Sequence, residues 1–152
     1  MRRAFHTFDF PDFVCTHYND FFVALMWPKH PLWPNNNISL DQDGLSVNVN
    51  SSLLQVCEAQ NLDGKYYPCP LGPDMLQGTG SCASDIPWPQ GKNHAATGWL
   101  TTESPVAPGS MIRLRFAIWD VGDAQSDSTV LIDNFRWSAE GVGGIRTTPV
   151  VP

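Results

Sequence analysis

Basic charge is scarce in this sequence. Nine Lys and Arg stand against fifteen Asp and Glu, giving a net charge of −6 and a pI near 4.9. The basic residues are scattered, whereas phosphate binding needs them grouped, so nucleic acid is not an expected partner. The same balance argues against an anionic membrane surface. Charge of either sign is thin, at 16% of residues, against about 25% in an average soluble protein. Long apolar runs are missing too. The longest, residues 21–27, falls far short of the roughly 20 residues of a membrane-spanning helix. No apolar stretch of signal-peptide type follows Met1-Arg2-Arg3, so any export signal is expected to lie outside this chain. Helical periodicity is absent. So are His-Glu-x-x-His, Gly-x-Ser-x-Gly and a Walker loop, which leaves metalloprotease, hydrolase-elbow and P-loop chemistry without their local signatures.

What remains is apolar, turn-rich and β-like. Hydrophobic residues make up 42% of 152 positions, enough for one domain with a real core. Thirteen prolines and twelve glycines break the chain into short segments. Residues 4–10 alternate as a half-buried strand does, and residues 20–27 read as a strand buried on both faces. Segments 37–40 and 45–50 flank Asp41-Gln42-Asp43-Gly44 and read as a hairpin. Strands are also expected over residues 52–58, 97–102, 110–119 and 129–138. In the third of these, Ile112, Leu114, Phe116 and Ile118 share one face. The expected architecture is all-β: an antiparallel, jelly-roll-like β-sandwich over residues 1–140, with 141–152 as a flexible tail or linker.

Four cysteines, Cys15, Cys57, Cys69 and Cys82, contain no Cys-x-x-Cys pair, which argues against a zinc ribbon or finger. They read as two disulfides of undetermined pairing, stapling the irregular segment 59–96. Four buried thiols are the plainer alternative. Few lysines and many Asn, Ser, Thr, Gly and Trp also fit a secreted protein.

Three blocks of the sequence resemble a known family. The first is Phe10-Pro11-Asp12-Phe13-Val14-Cys15-Thr16-His17-Tyr18-Asn19-Asp20-Phe21-Phe22-Val23-Ala24-Leu25. The second is Thr97-Gly98-Trp99-Leu100-Thr101-Thr102 with Pro105-Val106. The third is Arg115-Phe116-Ala117-Ile118-Trp119-Asp120-Val121-Gly122-Asp123, continued by Asp127-Ser128-Thr129-Val130-Leu131-Ile132-Asp133-Asn134-Phe135. Together they resemble the choice-of-anchor L domains, bacterial secreted or cell-surface β-sandwiches, over residues 5–138. The resemblance implies an exported domain sorted by varying C-terminal anchors and implies no defined activity. It also implies further strands ahead of Phe5. Without them a sheet edge stands open and invites pairing with another chain, including a second copy.

Three constellations could carry chemistry. Asp120, Asp123 and Asp127 share one loop, Asp133 follows on the next strand, and Asp12 and Asp20 can approach from the other end of the chain. Hard cations such as Ca²⁺ take six to eight oxygens, several of them from carboxylates, so these six form a calcium site on this reading. The alternative is that the aspartates cap turns. His6, His17 and His94 are the ligands of an alternative zinc site, although no two histidines have a metal-binding spacing. Trp27, Trp33, Trp88 and Trp99 lie in or beside Pro-rich loops, where they stack on sugar rings or pack over loop edges. The expected function is a secreted or surface-displayed, non-catalytic sandwich that binds Ca²⁺ and serves adhesion or assembly. A zinc-dependent hydrolase, protease or esterase, is the alternative, and a carbohydrate-binding module the second alternative. The expected partners are a carbohydrate or a surface protein.

Overall fold

A computed structural model describes residues 1–31, 33, 35–41, 43–69, 74, 76–85, 93–122 and 125–150. Its strands are β1 (Arg2–Thr7), β2 (Phe21–Trp27), β3 (Val47–Asn48), β4 (Gln55–Val56), β5 (Gln60–Leu62), β6 (Lys65–Tyr67), β7 (Ala95–Ala96), β8 (Leu100–Glu103), β9 (Arg113–Trp119), β10 (Ser128–Asp133) and β11 (Arg146–Pro149). Every pairing is antiparallel. The all-β expectation holds, and two sheets enclose one main core.

β1 organises the first sheet. Its whole length pairs with β10 on one edge, while β8 and β7 share the other. β11 extends the sheet beyond β8, and β4 extends it beyond β7. The second sheet runs β3-β2-β9, with β2 and β9 paired over seven residues. β5 and β6 form a separate hairpin. Period-two alternation aims Phe5 of β1 and Phe22, Ala24 and Met26 of β2 inward, where they meet Phe10, Val47, Val49, Leu54, Val56, Tyr67 and Leu100. A fully buried aliphatic or aromatic side chain of this kind contributes about 1.5–3 kcal/mol.

Two segments differ from expectation. The hairpin around residues 41–44 is held less by a ladder than by Asp41, leaving an isolated bridge between Leu40 and Ser46 and the short strand β3. The Asp41 carboxylate accepts the Asp43 and Leu45 amides at 3.0 and 2.9 Å and the Ser51 hydroxyl at 3.2 Å. Gly44 supplies the positive φ (78°) that such a turn requires. The segment 141–152, expected as a flexible tail, contributes β11. It docks by a four-residue ladder to β8, and Thr147 adds a side-chain contact, its hydroxyl 3.0 Å from that of Thr102 beside the guanidinium of Arg3.

The expected pair of disulfides is corrected to one, Cys57–Cys82. Cys15 is a free, exposed thiol at a turn position of φ 58°. Cys69 is also free, and its Sγ donates to the Cys57 carbonyl at 3.2 Å, so it lies beside the bridge without joining it.

Candidate functional site

The acidic constellation divides. The β2–β9 register, with Phe21 opposite Trp119, sets Asp20 across from Asp120 just beyond the ladder. The β1–β10 register ends at Thr7 and Ser128, and the Phe8 amide donates to the Asp127 carbonyl at 3.4 Å. One turn later the buried Asp9 accepts the amide of the buried Asp20 through Oδ2 at 2.7 Å. Asp9, Asp20, Asp120 and Asp127 therefore gather at one end of the sandwich. Asp9 was not among the residues expected there; its alternation with the phenylalanines of residues 8–10 hid it. The loop leaving β9 is folded down by Tyr18, whose ring covers Gly122 so closely that a Cβ there would lie 2.7 Å from it. Asp133 sits at the far end of β10, opposite Arg2, about 20 Å of strand away from Asp127. Asp12 is exposed in the turn after β1. Asp123 lies outside the described residues. Among the described residues, no three of His, Cys, Asp and Glu are placed to hold a metal ion.

The histidines divide as well. His17 is exposed and stacks on Tyr18 at 4.2 Å. His6 and His94 both reach the segment around Ser81. Ser81 Oγ lies 3.3 Å from His6 Nδ1 and 3.0 Å from Thr79 Oγ1, and the His94 amide donates to the Ser81 carbonyl at 2.7 Å. His94 Nδ1 donates to the Phe10 carbonyl at 2.8 Å, with its ring against Phe8. A Ser–His contact has the form of a nucleophile–base pair, but here the serine is buried and its neighbour Asp85 is spent on structure. Three backbone amides, those of Gly78, Gly80 and Cys82, donate to the Asp85 carboxylate and hold it below the usual carboxylate range. Burial likewise holds His6 below its usual pKa, which favours the neutral ring. This corner is a hydrogen-bonded lock between β1 and the disulfide segment.

Of the tryptophans, Trp27 and Trp99 are just over a third exposed, Trp33 is half-buried against Gly144, and Trp88 lies outside the described residues. A mostly apolar cavity of about 370 Å³ lies beside Met26, Pro28, Pro31, Pro105, Val106 and Ile112, with Lys29 and His30 as its ionisable groups. It contains no carboxylate and so belongs to neither metal arrangement.

An open sheet edge was expected, but not the strands that form it. Register places Leu114, Phe116 and Ile118 of β9 on the same face as Met26, Ala24 and Phe22 of β2. It places Val130 and Ile132 of β10 on the same face as Phe5 and Arg3 of β1. The inner partners are buried, yet Phe116 and Ile118 are each 40% exposed and Ile132 is 41% exposed. Among the described residues β9 pairs only with β2 and β10 only with β1, so each offers a free backbone edge. The two strands lie against one another, and this side of the sandwich is left open. Trp119 (43%), Leu131, Phe135 and Trp137 (66%) are exposed too, Trp119 and Leu131 on the outer faces of their strands. The cue in the sequence was the density of apolar residues at 116–119, 130–132, 135 and 137, beyond what one buried face needs.

No family model, curated protein or solved structure matches the chain. No helix among the described residues is long and apolar enough to cross a membrane.

Proposed function

We propose that this chain is a non-catalytic β-sandwich module of a secreted or cell-surface protein, of the choice-of-anchor L kind its sequence resembles, and that it serves adhesion or assembly by accepting a strand on its open side. One observation carries this reading: core-facing side chains of β9 and β10 stand exposed beside two unpaired edges. Strand addition satisfies main-chain groups and covers apolar side chains in one step. The disulfide and the low lysine content support an oxidising, extracellular setting. The test is hydrogen exchange with a hydrophobic dye on the dilute protein. Rapid exchange along the β9 and β10 edges, with dye binding that is lost in Ile118→Lys and Ile132→Lys, is expected. Edges protected as well as β1, with no dye binding, would end the strand-acceptor reading.

A second reading concerns calcium. On this reading a hard cation would draw together the carboxylates of Asp20, Asp120 and Asp127, which share one end of the sandwich but are not, as they stand, placed to hold one ion. Bound Ca²⁺ would tie the β9–β10 loop to the start of β2 and stiffen the rim of the open side. Stripping with EDTA should lower the melting temperature and added Ca²⁺ should restore it. A melting temperature indifferent to both removes the ion from the proposal.

A further inference from the structure

We propose that the strand accepted on the open side is β9 of a second copy, joined antiparallel about a two-fold axis through Phe116. This rests on the assembly reading above and names its partner.

β9 is the better edge for self-pairing. It is seven residues long and carries no proline or glycine, and its two charges, Arg113 and Arg115, both stand on the outer face, so the inner face of the edge is wholly apolar. β10 is shorter and is bounded by Asp127 and Asp133.

A two-fold axis normal to the sheet keeps inner faces aligned with inner faces, so opposed residues must have the same parity. Centred on Phe116, the pairing sets Leu114 against Ile118 of the copy and Phe116 against itself, all on the core side. On the outer face Arg115 meets Ala117 and Arg113 meets Trp119. No like charges oppose one another, and each Arg113 guanidinium gains an indole face. Centring on Arg115 would oppose two guanidinium groups directly. Centring on Ala117 would set Leu114 against Asp120. The sequence of β9 therefore selects one register.

The seam is small and its main-chain ladder carries the pairing. With about 150–250 Å² for a whole aromatic side chain and somewhat less for Ile, the exposed fractions of Phe116, Ile118 and Trp119 amount to roughly 250 Å². That is below the ~800 Å² each partner contributes to a standard interface, so the expected association is weak, of micromolar order, with backbone hydrogen bonds along the edge supplying much of it. Pairing would run the second sheet unbroken from β3-β2-β9 of one copy into β9-β2-β3 of the other.

The experiment is sedimentation of the full chain across about 1–200 µM, where mass action moves a dimer of micromolar affinity from mostly dissociated to mostly formed. The expected mass rises from 16.8 kDa to twice that. Hydrogen exchange at the two extremes should show protection gained at residues 113–119 and none at 128–133. Trp119→Lys opposes Arg113 of the copy at both ends and should weaken association about tenfold. Mixing it with Arg113→Glu should restore association, because the introduced carboxylate of one copy then faces the introduced ammonium of the other, while the opposite end keeps its Arg–Trp pair. A chain still monomeric at the highest concentration overturns the proposal; if its edges still exchange rapidly and bind dye, the assembly reading stands with a different partner. Protection gained at β10 alone, or a mixture no tighter than either variant, overturns it too. Should Trp119→Lys fail to fold, the wild-type exchange data decide.

Discussion

Arg3 poses a physical question that one substitution can answer. It lies on the core face of β1 between Phe5 and the chain start, and it is fully buried. Its hydrogen-bond partners are the hydroxyls of Thr102 and Thr147, and its guanidinium stands 5.7 Å over the Phe22 ring. Nε has no partner, and no carboxylate faces the group among the described residues. Burial draws its pKa down from 12.5 to about 10. That displacement corresponds to about 3 kcal/mol opposing the charged form in the folded state at neutral pH. The cation–π contact returns about 1–2 kcal/mol, and the charge-assisted bond to Thr102 a similar amount. The terms nearly cancel, so the charge itself gives the fold little.

Arg3→Met retains most of the apolar stem and removes the charge. The two threonine hydroxyls stay satisfied, since they lie 3.0 Å from each other. The variant should therefore equal the parent in stability or exceed it by up to about 2 kcal/mol, as apolar replacements of buried ionic groups often do. Arg3→Ala, which opens a cavity beside Phe22, should instead be destabilised by about 2–4 kcal/mol. Urea unfolding at neutral pH measures both, provided the slope with denaturant is unchanged. A Met variant less stable than the parent by more than about 1 kcal/mol would refute the reasoning, and would mean that the guanidinium has a counter-charge that offsets its burial.

Other perturbations test other parts of the structure. Replacing both Cys57 and Cys82 by Ser releases a crosslink of sequence separation 25 and should lower stability by about 3 kcal/mol on the chain-entropy account, read from the denaturant midpoint. The lowered pKa of His6 means that the unfolded state binds a proton the folded state resists, so stability should rise with pH through the window just below 6.5 and be lost as pH falls through it; His6→Gln should flatten that slope in urea midpoints compared across the window. Gly122→Ala puts a Cβ against the Tyr18 ring at a φ of +110°, and should cost about 1–3 kcal/mol by thermal unfolding while loosening the loop that carries Asp120 and Asp127.

The legible and illegible parts of this molecule differ in the range of the interactions involved. Alternation from Ile112 to Ile118 is a local pattern, and it correctly names the inward face of β9. Whether that face is covered depends on which strand lies beside it, and no local pattern carries that information, so Phe116 and Ile118 point inward and still meet solvent. The same limit divides the aspartates. Asp120 and Asp127 bracket one loop and stay together, whereas Asp133, only six residues further, is carried the length of β10 to the other end of the sheet. His6 and Ser81 meet across 75 positions because a disulfide and the nest of amides around Asp85 fold the segment back onto β1. Arg3 is the instructive exception, because its burial was readable from parity alone. It stands two residues before Phe5 and four before Thr7, all three on the inner face. What masked it was its residue type, since arginine beside arginine at a chain start reads as surface. In a sheet the two-residue period decides the face and composition only decides what that placement costs, so a charged residue in phase with a buried phenylalanine is to be placed in the core first and explained afterwards.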